Sequence, residues 1–393
     1  MKRKIFLAIG LGLCIATVGC SADSETKEKV ITAEPTMAEE TPTEVPPTEQ
    51  ANNEKETAKP DYLYADLLFD GKECTIPDMV ASPEKYTYAN EALRITQEQK
   101  EAFIEKYGEE EYEGAVSALS TIFHIQSNAP VSPAYTGELK ETYTMEDVVL
   151  TSKLDGHHIT ADYILQSGAK DNDTVIMVHG IGGTRRSMRE DVFFYLSLGY
   201  NVLTYDQRSS GENDGFLYTF GAWEQYDLME CVNYIDQQIS SDKKIIVLGQ
   251  SSGGTSAGLL LANKEAAEKV DYVIFDSPVT SVYELIQSKL YNYVKREQVE
   301  NALKSCEDFM NFMYGFGFED VEVANFVADT TIPVLIFTSK VDGVVPLEQP
   351  KHMYDTIKSD NKKIVISEIS SHCAMNRMEH ELYEREVRDF LGK

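Results

Sequence analysis

The apolar run Ile245-Ile246-Val247-Leu248 ends on Gly249-Gln250-Ser251-Ser252-Gly253 and passes at once into the small-residue stretch from Gly254 to Ala262. An unbroken apolar run suits a strand covered on both faces. Glycines two positions either side of Ser251 let the backbone double back where a Cβ would clash, while the serine is pushed out over the sheet. The spacing predicts strand, tight turn and helix, with Ser251 as candidate nucleophile. The pattern recurs at Gly254-Thr255-Ser256-Ala257-Gly258. No strand precedes that copy, and its small residues suit close packing of a helix on a sheet.

From about residue 145 the chain alternates β-rich runs with helical segments, as a parallel sheet with crossover helices requires. The candidate strands are 147–151, 159–165, 174–178, 201–205, 244–248, 272–275, 334–337 and 363–366. There is no internal repeat.

A serine hydroxyl is a weak nucleophile at neutral pH and needs a base that a third group orients. Asp342 lies in a loop after the strand ending at Phe337, and His372 follows the strand ending at Ile366. Ser251, Asp342 and His372 thus occur in one of the known chain orders of a Ser-Asp-His triad. Asp276, after the strand 272–275, is a rival for the acid, and Asp342 could instead cap the turn before Val344.

The strand 174–178 runs into His179-Gly180-Ile181-Gly182-Gly183. Glycines here let a backbone N–H face a reacting carbonyl, so the Ile181 and Ser252 amides are the candidate oxyanion hole; one such donor is worth about 3–4 kcal/mol of transition-state stabilisation. A dinucleotide loop starting at Gly180 would need Gly or Ala at position 185, which is Arg185. No H-E-x-x-H metal motif occurs, and the chemistry calls for no cofactor.

On these motifs, residues from about 145 to 393 resemble the α/β-hydrolase superfamily. The segments Tyr205 to Gly211 and Ile332 to Pro346 are similar to small-cap bacterial serine hydrolases of the prolyl-oligopeptidase-like and acylglycerol-lipase-like branch. The D-x-R-G-x-G pattern departs from that family at Ser209, in a loop expected to be structural. The resemblance implies an α/β fold: a mostly parallel eight-stranded sheet, helices on both faces, and a small helical cap inserted at about 278–328. Within that insertion the run Phe309, Phe312, Met313, Tyr314, Phe316 and Phe318 either packs the cap or lines an acyl pocket. Arg185 and Arg186 either pair with acids or hold an anionic substrate group.

At the other end, Lys2, Arg3 and Lys4 precede an apolar run from Ile5 to Val18, then Gly19 and Cys20. That run is shorter than the roughly 20 residues a spanning helix needs, and the layout is that of a signal peptide. Thr17-Val18-Gly19-Cys20 resembles a bacterial lipoprotein signal, which implies acylation at Cys20 and attachment to the outside of the cell membrane; plain secretion is the alternative. Residues 21–60 are rich in Thr, Glu and Pro, cannot bury a core and read as a disordered tether. Residues 61–144 read as a helical N-terminal element. Cys74, Cys231, Cys306 and Cys373 are expected to be free thiols, although an exported location permits disulfides.

Lys+Arg 36 against Asp+Glu 65 leaves a net charge of −29, which excludes a nucleic-acid surface. The same charge opposes adhesion to anionic lipid, so contact with a membrane has to come from the anchor. The expectation is an extracytoplasmic serine hydrolase cleaving a small-molecule ester through an acyl-enzyme. The alternatives are a serine peptidase or amidase with the same triad, and a non-catalytic surface-binding lipoprotein on the same scaffold.

Overall fold

In the computed structural model, which describes residues 83–123, 133–291 and 294–393, all eight apolar runs join one sheet. Its strands are β3 (Thr144–Thr151), β4 (His158–Leu165), β5 (Thr174–Val178), β6 (Asn201–Tyr205), β7 (Ile245–Gln250), β8 (Tyr272–Asp276), β9 (Val334–Ser339) and β10 (Lys362–Ser367), ordered β10-β9-β8-β7-β5-β6-β4-β3. The pairings β3–β4 and β4–β6 are antiparallel and the remaining five are parallel. The central strands β5, β6 and β9 are buried at every position, as helices on both faces demand. The edge strand β3 is largely exposed.

One face is covered by α5 (Glu224–Asp236) and α6 (Gly253–Leu260), and the inserted helices α8 (Val282–Leu290) and α9 (Arg296–Tyr314) extend the same hydrophobic cluster outward. On the other, α4 (Arg189–Ser197) and α12 (His380–Leu391) pack against residues such as Val175, Met177, Leu248 and Phe337. This is the α/β-hydrolase fold. The topology brings the carboxyl ends of β5, β7, β8, β9 and β10 to one rim, so residues far apart in sequence can meet there.

The N-terminal element is more than helical. A short antiparallel hairpin, β1 (Tyr88–Asn90) with β2 (Ile95–Thr96), precedes α1 (Gln97–Tyr107) and α2 (Glu109–Phe123). Thr96 caps α1 by accepting from the Gln99 N–H at 3.2 Å. A third helix, α3 (Pro133–Thr142), begins on a proline. An N–H at the first position of a helix has no intrahelical acceptor, so a proline there costs no hydrogen bond.

These helices weld onto the cap. Phe103 of α1 is fully buried, with ring centroids 5.2 Å from Phe309 and 5.5 Å from Phe312 of α9. Phe123 lies 5.7 Å from Tyr314, and the Tyr314 hydroxyl donates to the Leu93 carbonyl at 2.6 Å. The aromatic run of the cap is packing against the N-terminal element.

Cys231, Cys306 and Cys373 are free thiols, the first two buried. The signal segment with Cys20, the tether 21–60, Cys74 and the start of the N-terminal element lie outside the described residues. Among the described residues no helix is long and apolar enough to cross a membrane.

Candidate active site

Ser251 sits in the turn between β7 and α6 with φ 54°, a left-handed backbone that costs a non-glycine residue about 1–3 kcal/mol. The surroundings enforce it. The Ser251 N–H donates to the Asp276 carbonyl at 3.0 Å, and its carbonyl accepts from Gly254 and Val279 at 2.9 Å each. A Cβ on Gly249 would stand 2.8 Å from the Ala257 Cβ, and one on Gly253 would stand 2.2 Å from the Val178 carbonyl. Only glycine fits at either flank, so the turn stays tight and holds Ser251 at the sheet rim.

His372 reaches that serine from the loop after β10. Its Nε2 is 2.9 Å from Ser251 Oγ and its Nδ1 is 2.8 Å from Asp342 Oδ2. Asp342 comes from the loop after β9, the neighbouring parallel strand. Its other oxygen, Oδ1, accepts from the Val344 and Val345 N–H groups at 2.7 and 3.0 Å. Asp342 is therefore both turn cap and partner of the imidazole. Burial alone would raise its pKa, but the His372 ring and the two backbone donors outweigh that and hold it below the usual carboxylate value. Asp276 is buried beside this line and pushed up to about 6, by burial first, against the nearby His372. Its carboxyl accepts from the Ser277 hydroxyl at 3.4 Å, and its backbone carbonyl accepts from the Ser251 N–H.

His179 shapes the loop after β5. Its Nε2 accepts from the Gln207 N–H at 3.1 Å, so its Nδ1 carries the proton and donates to the Gly180 carbonyl at 2.8 Å. Full burial lowers its pKa, consistent with this neutral form. The following amide, Ile181 N–H, points at the turn of Ser251 and donates to Ser252 Oγ at 2.6 Å. The Ser252 N–H has no acceptor among the described residues. The Ile181 amide thus lies against the side chain of Ser252, the residue that carries the second candidate donor.

Arg185 and Arg186 are engaged by acids. Arg185 Nε donates to Asp162 at 3.1 Å, its Nη2 to Glu212 at 2.7 Å, and its Nη1 pairs with Asp206. Arg186 Nε donates to the other Asp162 oxygen at 2.8 Å. The Arg185 N–H also donates to Asp206 at 2.7 Å, so the network pins the loop of Gly180 to the loop after β6. Removing one member of such a buried pair leaves an uncompensated charge, at about 3–5 kcal/mol. In that second loop Ser209 takes φ 55°, which explains why a glycine is usual at its position. Ser256 lies inside α6 and donates to Gln207 Oε1 at 3.2 Å, away from Ser251.

Ser251 and His372 open on a cavity of about 350 Å³ whose wall also carries Gln250, Met188, Asp191 and Asn376. Asp191 and Asn376 were not among the residues singled out from the sequence. Among the described residues no group of three or more His, Cys, Asp or Glu side chains could hold a metal ion.

The sequence profile of a family described as the alpha/beta hydrolase fold matches residues 173–324. An uncharacterized protein of Bacillus subtilis, YqkD, is 25% identical over 219 residues, covering 56% of this chain and 71% of its own length. The lysophosphatidylserine lipase ABHD12 of Danio rerio is 28% identical over 200 residues, 50% of each chain, so this chain spans about half of that relative. Among solved structures, the Pyrococcus furiosus esterase PF2001 superposes with a TM-score of 0.54 at 20% identity, covering 68% of this chain and 97% of the esterase. That likeness speaks to fold. Together the matches support the α/β-hydrolase fold already seen in the sheet.

Proposed function

We propose that this chain of α/β-hydrolase fold is a serine hydrolase of carboxylic esters, held outside the cytoplasm by a lipid on Cys20. One observation carries the catalytic part: the hydrogen-bonded line from Ser251 Oγ to His372 Nε2 and from His372 Nδ1 to Asp342, at 2.9 and 2.8 Å. The similarity to a lysophosphatidylserine lipase adds support for an ester bond as the target.

In the proposed reaction Ser251 Oγ attacks the ester carbonyl carbon as its proton passes to His372 Nε2. Asp342 holds the Nδ1–H tautomer and stabilises the imidazolium. The carbonyl oxygen becomes an anion received by the Ile181 and Ser252 amides once the Ser252 hydroxyl turns away. The tetrahedral centre then collapses, the alcohol leaves with the proton from His372, and an acyl-Ser251 remains. Water repeats the sequence with His372 as base and frees the acid. Every proton and electron pair is accounted for by these groups and water.

A panel of p-nitrophenyl esters of graded acyl length, beside aminoacyl p-nitroanilides, tests the reading. The expected result is ester turnover that Ser251→Ala removes while the variant keeps its fold. Faster amide than ester turnover would make the protein a peptidase, and no turnover of either would leave a binding protein. Release of a lipid-bearing peptide beginning at residue 20 tests the anchor; an unmodified residue there would contradict it.

A further inference from the structure

Asp191, the third residue of α4, is 6% exposed and lines the cavity that holds Ser251 and His372. One of its oxygens accepts from Asn376 Nδ2 at 2.9 Å. No Lys, Arg or His among the described residues forms an ion pair with it. The charges that act on it are like charges: Asp276 from the end of β8 and Glu190 from its own helix. The hydroxyls of Tyr195 on α4 and Tyr383 on α12 also lie within electrostatic reach, both buried. Asn376 faces it from α11 (Met375–Met378), and Arg377 and Glu190 stand exposed on the same cavity. Burial, with Asp276 adding, pushes Asp191 up to about 7.

A buried carboxylate with no countercharge is expensive, and folds normally pair or delete it. A first-turn acid does favour the helix dipole, but exposed Glu190 already fills that role at no burial cost. What the position adds is a negative group on the wall of a cavity beside a nucleophile, where a perturbed acid marks a functional site.

We propose that Asp191 is the anionic floor of a subsite that receives an ammonium group of the substrate, a specificity that rests on the serine-hydrolase reading above. The cation replaces the missing countercharge. Asn376 orients the carboxylate, and because it lies four residues beyond His372 it ties the subsite to the loop carrying the base.

The test compares esters bearing a trimethylammonium group with their tert-butyl isosteres, the group placed in the alcohol or in the acyl half. The full-length protein should favour the cationic member of at least one pair by about tenfold in kcat/KM at about pH 8. That preference should shrink as pH falls to about 6 and Asp191 takes up a proton; the demand for neutral His372 is common to both esters and cancels in the ratio. Asp191→Asn keeps an oxygen for Asn376 and should bring the ratio close to one. Should that variant fail to fold, the pH dependence of the wild-type ratio carries the test alone. A wild-type ratio near one in both pairs, or a preference indifferent to pH and to the substitution, overturns the subsite while the neutral esters still report the triad. Inertness toward every ester overturns the hydrolase reading and the subsite with it.

Discussion

The Ile181 N–H donates to Ser252 Oγ at 2.6 Å, so the amide proposed to receive the oxyanion is already satisfied by a hydroxyl. In the proposed reaction the substrate displaces that hydroxyl by a rotation about χ1. A hydrogen bond of this kind contributes about 0.5–1.5 kcal/mol, or roughly two- to tenfold in rate. Ser252→Ala leaves both amides in place and should raise kcat/KM for a short p-nitrophenyl ester by that factor. A fall of more than tenfold would mean that the hydroxyl itself donates to the oxyanion.

The two acids near His372 differ in what they bond. Asp342 holds Nδ1 at 2.8 Å, whereas buried Asp276 feels the ring's charge and accepts from the Ser277 hydroxyl. Asp342→Asn should lower kcat by about ten-thousandfold, as loss of the tautomer-fixing carboxylate does elsewhere. Asp276→Asn should stay within a few-fold. Steady-state kinetics on both variants decides the matter, and the reverse ranking would transfer the acid role to Asp276.

A second buried charge group sits far from the triad in sequence. Arg208 Nη1 donates to Asp155 at 2.7 Å, and His157 Nδ1 meets Asp155 at 2.5 Å, with Asp227 on the other ring nitrogen at 3.4 Å. Burial would lower the His157 pKa, yet Asp227 and Asp155 overcome it and raise it to about 9. A raised folded-state pKa contributes stability that is complete below the unfolded value near 6.5 and is lost as pH climbs toward about 9. Urea midpoints should therefore fall between about pH 7 and about pH 10, and His157→Gln should flatten that slope.

Phe103 joins the N-terminal element to the cap. Its ring is fully buried against Phe309 and Phe312, so Phe103→Ala opens a cavity costing about 3–5 kcal/mol. Denaturant melts should show that loss in a single transition. A separate early transition with no change in the main one would mean that α1 and α2 are an independent appendage.

The sheet was legible because Val175 to Val178 and Ile245 to Leu248 are unbroken apolar runs, which only strands covered on both faces need. The edge was less so. Strand β3 starts at Thr144, before the first residue read as strand, because exposed edge residues carry little hydrophobic signal. Ser251, Asp342 and His372 could be picked out as candidates from chain order and from the loops that follow β7, β9 and β10, since parallel strands deliver those loops to one rim. Phe309 and Phe312 stayed ambiguous because an aromatic stripe looks the same toward a ligand as toward a helix 200 residues away. Asp191 and the Ser252 hydroxyl were invisible for a different reason. Burial without a countercharge and the rotamer of a hydroxyl belong to tertiary packing, which no local spacing encodes.

The central claim is that Ser251 is a nucleophile activated by His372. Mass spectrometry of the folded protein after incubation with a fluorophosphonate probe reads it most directly. The account predicts one phosphonyl adduct, on the peptide containing Ser251, lost in Ser251→Ala and strongly slowed in His372→Ala. Folded protein that stays unlabelled, or that carries the adduct on another serine, would contradict it.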